Sequence, residues 1–348
     1  MRNHRSRPSN KPSVGFDDRW VWDKHTEAKY YDLLMGPSSS FFGMCYSNFG
    51  PGSVLSYLVF LYRRLNLVEE VLKPTGSLYV HCNDSTSHYI KLMLDCIFRP
   101  SFFRNDIAWR RSFAHNSARR FGRVLDHILF YTKSKQYTWN RHAISTPKTP
   151  EEIEKKYPYK DEHGAYARGD ITSNRVAIRN SESILPWRGY DVASRGCAWC
   201  PTSMGTYAKY IEKNFIPNYT NMKGFKERLD ALDDAGLIIH PKRGFWPGLK
   251  RYAAADIGYL PQSIIENPRG FSNYSTKLPE HTGYPTQKPI ALIEKFVLVS
   301  TNEGDTVLDP FCGSGTTLVA ATKHNRNVIG IDISPDAIDL TKQRLNEL

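Results

Sequence analysis

VLDPFCGSGTT, residues Val307 to Thr317, reads as a short buried strand, a glycine-rich turn and a helix start. Strand–turn–helix units of this kind cradle nucleotide-type cofactors, with the ligand at the strand end and the helix N-terminus. Gly313 and Gly315 allow positive φ and a close backbone approach. Thr316 and Thr317 offer caps to the following helix. The turn lacks the lysine of a phosphate-binding P-loop, and Thr and Leu stand where a third glycine would. Asp332 follows Gly315 by seventeen residues, at the end of the apolar run NVIGID. An acid at the tip of the second strand can accept from two ribose hydroxyls. A nucleoside without a pyrophosphate fits best, and S-adenosylmethionine is the expected cofactor.

Such a unit normally opens its domain, yet here it closes a chain of 348 residues. Its sheet partners must lie upstream. Leu58, Leu61, Leu65, Val68 and Leu72 recur at helical spacing and predict a helix over 56–72. A strand is expected at SLYVHC (77–82), then a helix over 85–97, capped by Ser85, with Tyr89, Leu92, Met93 and Cys96 inward. NDIAWR (105–110) and HILFYT (127–132) read as further strands. From 140 to 280 periodicity is weak, with aromatic and basic clusters in turns. Order returns at YPTQKPIALIEKFVLVS, where Pro289 suits a helix first turn and Ile290, Ile293, Phe296 and Val297 face inward. A last helix starts at Ser334. The expected architecture is α/β: a doubly wound, mostly parallel sheet made by 1–140 and 281–348, interrupted by a poorly regular insertion, 141–280.

Net charge is +12, with 24% charged and 40% apolar residues. The excess points to a polyanion. It clusters: Arg104 to Arg141 holds nine Lys/Arg against two acids, interleaved with aromatics. Trp109, Arg110, Arg111, Phe113, Arg119 and Arg120, with Lys250 and Arg251, are the candidate nucleic-acid contacts, cations on phosphates and rings on bases. No apolar run reaches membrane-span length, and a cytoplasmic location with no membrane partner is expected. The six cysteines show no disulfide-framework spacing. Cys197-x-x-Cys200 lacks a second pair, so no metal is expected. Asp17-Asp18 and Asp233-Asp234 read as solvated faces.

TQKP (286–289), GDTVLDPFCGSGTT (304–317) and NVIGIDIS (327–334) resemble the DNA amino-methyltransferases, which modify adenine N6 or cytosine N4. The cofactor motif at the C-terminal end is similar to their beta subgroup. VLKPTGSLYVHCNDSTSHYIKLMLDCIF (71–98), FFRNDIAWRRS (102–112) and HILFYTKS (127–134) extend the likeness. PWRGYD and LKRYAAADIG resemble the modification subunits of type III restriction systems. The resemblance implies a Rossmann-like fold with a permuted motif order and a target-recognition insertion. It implies that Asp309 and the backbone of Phe311, Gly313 and Gly315 hold the methionine part of S-adenosylmethionine, with Thr316 at the helix start. Asp332 would hold the ribose, and Thr286, Gln287 and Lys288 would close over the cofactor. The implied substrate is double-stranded DNA with a flipped base, adenine favoured over cytosine. A restriction subunit and a second copy of the chain are candidate partners.

The family's Asp/Asn/Ser-Pro-Pro-aromatic tetrad, which makes the amine nucleophilic, has no match in the chain; the nearest string is NKPS, Asn10 to Ser13. No catalytic residue is therefore assigned. The expectation is a chain beginning just downstream of the tetrad. The rival reading is a non-catalytic homologue that binds DNA or a partner.

Overall fold

The computed structural model describes residues 20–112, 119, 121–174, 182–241, 246–266 and 279–348. Phe113 and Arg120, two of the expected nucleic-acid contacts, and Asn10 to Ser13 lie outside them, as do Asp17 and Asp18. The chain forms two compact units, one from 1–144 with 260–348 and one from 145–259.

Three helices open the first unit: α1 (Lys24–Leu34), α2 (Ser39–Phe49) and α3 (Ser53–Val71). Asp23 caps α1 by accepting from the Thr26 N–H at 2.7 Å. Leu55, Leu58, Leu61 and Leu65 put the apolar stripe of α3 into the core. Strand β1 (Ser77–Asn83) follows, then α4 (Ser87–Phe98), β2 (Phe103–Arg110) and β3 (Leu125–Thr132). Helix α4 starts two residues later than expected, because the Asn83 side chain takes the Ser85 and Thr86 amides into a turn. That shift rotates the buried face to Ile90, Met93, Leu94 and Phe98, and leaves Leu92 and Cys96 exposed.

In the second unit come α5 (Pro150–Lys156), β4 (Tyr159–Asp161), β5 (Gly164–Asp170), β6 (Thr172–Ser173), β7 (Ala198–Trp199), α6 (Gly205–Asn214), α7 (Phe225–Asp234), β8 (Ile238–Ile239) and β9 (Gly248–Tyr252). This corrects the expectation of a poorly regular insertion. Strands β4-β5-β9-β8 form an antiparallel sheet, and Trp187, Trp199, Ile211, Tyr219, Leu232 and Leu249 make a separate core. The signal was weak because the strands are short and aromatics carry much of the packing.

The chain then returns to the first unit with β10 (Ile264–Glu266), α8 (Ile290–Ser300), β11 (Thr306–Asp309), α9 (Thr316–Thr322), β12 (Asn327–Gly330) and α10 (Pro335–Asn346). Pro289 sits at the N-cap of α8, one position before its expected place. Ser334 caps α10. The insertion is narrower than 141–280, since β10 pairs in parallel with β2.

The α/β class and the pairing of β11 with β12 follow the sequence reading. Strand direction differs in part. β3 runs antiparallel between β1 and β2, so the order β1-β3-β2-β10 is a mixed sheet. Parallel neighbours need a long crossover, whereas β3 returns beside β2 directly. Among the described residues β11-β12 is a separate two-stranded sheet. Tyr79 on β1 reaches Ser300 at the end of α8, hydroxyl to hydroxyl, at 2.5 Å.

Candidate functional site

The ends of β11 and β12 converge on the glycine turn. The Asp309 carboxylate closes the start of the turn by accepting from the Phe311 N–H at 3.1 Å. The Asp332 carboxylate spans the crevice: one oxygen accepts from the Gly313 N–H at 2.8 Å, the other from the Ser334 N–H at 2.9 Å. Cys312 donates its N–H to the Ile331 carbonyl at 3.0 Å, and Gly315 to the Cys312 carbonyl at 2.8 Å. The loop therefore has a fixed shape before any ligand arrives. Gly315 is the residue that shape requires. Its φ is +72°, and a β-carbon there would lie 2.6 Å from the Thr341 side chain of α10.

This arrangement changes the expected division of labour. The amides of Phe311, Gly313 and Gly315 are spent inside the loop. Thr316 is buried, its hydroxyl accepting from Arg344 at 3.3 Å. That bond ties the start of α9 to α10. What stays outward is carboxylate and ring. Burial raises the pKa of Asp309; bonds from Thr317 and Phe311 oppose this, and the nearby Asp332 charge adds to it. Neither acid pairs with a Lys or Arg among the described residues, so the two favour a ligand that brings cationic and hydroxyl donors. The Phe311 ring is 43% exposed and lies 6.0 Å from Phe60 of α3.

The 284–289 turn leans on this loop. Tyr284 is buried against Gly313, where an added β-carbon would meet its ring at 3.2 Å. Thr286 is exposed with φ +64°. Gln287 is buried and pins the turn, accepting from Thr282 N–H at 2.9 Å and donating to the Glu280 carbonyl at 2.8 Å. It is a brace, not an open ligand group. The Lys288 ammonium donates to the Thr286 carbonyl at 2.7 Å. Burial lowers its pKa, with Asp126 opposing.

That lysine adjoins a cluster the sequence reading missed. His81, near the end of β1, shares a hydrogen of its Nε2 with Asp126 at 2.9 Å, and Arg111 Nε lies 3.2 Å from the other Asp126 oxygen. Burial lowers the His81 pKa, outweighing its bond to Asp126. For Asp126 burial acts upward, but the bond from His81 and the Arg111 charge prevail and hold it below the usual carboxylate range. No sequence spacing links positions 81, 111, 126 and 288; the β1-β3-β2 order joins the first three, and the turn before α8 brings Lys288 to them.

The basic stretch is less open than its composition suggested. Trp109 is 3% exposed and meets His81 edge-on, so it is a core residue and cannot stack on a base. Arg110 lies 3.5 Å from Glu266. Arg123 pairs with Asp84 at 3.1 Å and Lys133 with Glu69 at 2.5 Å. Arg119 is exposed. In the second unit Lys250 is taken by Asp161 at 2.7 Å. Arg251 instead lies over the Tyr207 ring at 4.5 Å. Asp233, read as solvated, pairs with Arg188 at 2.8 Å and His240 at 2.6 Å. No helix among the described residues is long and apolar enough to cross a membrane.

The chain is similar to several known proteins. The Type II methyltransferase M.EcaI of Enterobacter cloacae is 35% identical over 282 residues, 80% of this chain and 55% of that protein. The DNA adenine methyltransferase YhdJ of Escherichia coli is 40% identical over 177 residues, 49% of this chain and 59% of that protein. The chain thus spans little more than half the length of these relatives. The solved M1.HpyAVI–SAM complex aligns with a TM-score of 0.40 and 17% identity, over 94% of this chain and 98% of that one. The DNA methylase family of N6- and N4-directed enzymes matches residues 48–343, from the end of α2 through α10, and the chain belongs to that family.

Proposed function

We propose that the chain is the cofactor- and DNA-binding body of an S-adenosylmethionine-dependent DNA amino-methyltransferase, acting on adenine N6 in preference to cytosine N4. The observation that carries this is the pair of carboxylates at the β11 and β12 ends, braced around a self-bonded glycine turn. Asp332 would accept from ribose hydroxyls, and Asp309 would face the cationic methionine part. The exposed Phe311 ring would lie against the adenine. Tyr284 and Gln287 hold the turn that backs the loop, and are positioning residues. When bound, the cofactor supplies a methyl activated by its sulfonium.

The target amine is a poor nucleophile, because its lone pair is delocalised into the ring. A preorganised pair of acceptors is needed to localise it. The target base also has to leave the duplex. Arg119, Arg111 and the 145–259 unit are the proposed DNA contacts. A restriction subunit or a second copy is proposed on the resemblance alone; light scattering with and without DNA tests the second copy.

A second reading, binding without transfer, is favoured by one fact: no Asp/Asn/Ser-Pro-Pro-aromatic string occurs in the 348 residues. Incubation with tritiated S-adenosylmethionine and mixed-sequence DNA, followed by nucleoside analysis, separates the two. Labelled N6-methyladenine supports the first reading. Cofactor binding without label supports the second. Absence of both cofactor and DNA binding sinks the two together.

A further inference from the structure

A cavity of about 370 Å³ opens in the second unit, lined by Lys156, Tyr157, Tyr207, Arg251, Ala255 and Ile257 among others. Its wall is basic: Lys156, Arg168 and Arg251 line it against one acid, Asp256. Arg251, on β9 opposite Ala167 of β5, lies so flat over Gly169 that a β-carbon there would sit 2.7 Å from it. Its Nη2 donates to the Thr202 hydroxyl at 2.6 Å, and its plane covers the Tyr207 ring. Three neutral phenols, Tyr207, Tyr219 and Tyr157, surround this guanidinium, and no carboxylate pairs with it among the described residues. A half-buried guanidinium carries a desolvation cost that a counter-anion normally offsets. The one acid in the wall cannot serve. Asp256 is held by Lys148 at 2.8 Å, Lys156 at 3.0 Å and the Tyr157 hydroxyl at 2.6 Å.

The cavity therefore combines a planar cation that has no carboxylate partner among the described residues with an apolar wall of Ala167, Ala255 and Ile257. It has more room than a bare phosphate needs. We propose that this cavity binds a single nucleotide, its phosphate on Arg251 and its sugar and base along the Ala255–Ile257 wall. The inference rests on the methyltransferase reading only for the source of that nucleotide, a DNA strand.

Calorimetry on the full chain tests it with three probes: a 5′-deoxynucleoside monophosphate, the matching deoxynucleoside and inorganic phosphate. The monophosphate should bind at least about tenfold more tightly than either fragment. Arg251→Met should weaken it by at least about tenfold, the loss of a charge-assisted bond. Ala255→Phe keeps the cation and fills the room, and should also abolish binding. Equal affinity for phosphate and monophosphate overturns the wall; equal affinity for nucleoside and monophosphate overturns Arg251. Those two comparisons use the unaltered chain, so a variant that fails to fold leaves them standing. A short DNA duplex should displace the monophosphate. A duplex that binds without displacing it overturns the DNA source while leaving S-adenosylmethionine binding, and the reading built on it, untouched.

Discussion

Replacing Gly315 by alanine strikes the point where loop, helix and sheet meet. The residue has φ +72°, a conformation that costs an L-residue about 1–2 kcal/mol. The new methyl would lie 2.6 Å from both Cγ2 and Oγ1 of Thr341. That side chain cannot simply turn away, because its hydroxyl donates to the Gly313 carbonyl at 3.0 Å. Overpacking of this kind adds about 1–3 kcal/mol. A loss of about 3 kcal/mol is expected for the first unit. At about 2–4 °C per kcal/mol for a unit of this size, its melting transition should fall by roughly 6–12 °C. Differential scanning calorimetry measures this, with the transition of the second unit as an internal reference. Thr341→Ala alone should be mildly destabilising. Combined with Gly315→Ala it should recover the steric part and leave the backbone part, so the two changes should not add. A Gly315→Ala protein that melts with the wild type, or simple additivity in the double variant, would mean that neither the positive φ nor the Thr341 contact constrains this position.

Burial holds His81 below its ordinary pKa of 6.5, so the unfolded chain takes up a proton before the folded one does. Stability should therefore fall as pH drops below about 6.5, down to the folded pKa, and His81→Gln should flatten that part of a denaturation series. Asp256→Asn would strand the Lys148 ammonium, which is only 9% exposed; breaking a buried pair costs about 3 kcal/mol or more, read as a lower urea midpoint for the second unit. DNA affinity should fall steeply with salt, and Arg119→Ala should make the log–log slope shallower by about 1; an unchanged slope would remove Arg119 from the contact surface.

How much of this was legible beforehand depended on whether a residue's role was local. The β11–turn–α9 unit is contained in seventeen consecutive residues, and Asp332 and Ser334 sit where strand and cap chemistry put them. Trp109 misled because a ring among arginines is also what a buried strand position looks like; its burial depends on β3 and α8, which sequence spacing does not reveal. Gln287 and Thr316 carry a further lesson. Both lie in motifs that resemble cofactor contacts, and their side chains also bond within the fold, to Thr282, Glu280 and Arg344, which sequence spacing does not reveal. The His81–Asp126–Arg111 cluster depends on strand order alone. The second unit was read as irregular because its strands β6, β7 and β8 have two residues each, too few to show a period.

On this reading S-adenosylmethionine is held by two carboxylates, Asp309 at the end of β11 and Asp332 just after β12. Isothermal titration of the full chain with S-adenosylmethionine, beside Asp332→Ala, tests it most directly. Binding should be saturable and should weaken at least about tenfold in the variant, the loss of a charge-assisted acceptor worth about 1.5–3 kcal/mol. Equal affinity in the two proteins, or no binding to the unaltered chain, would contradict that reading.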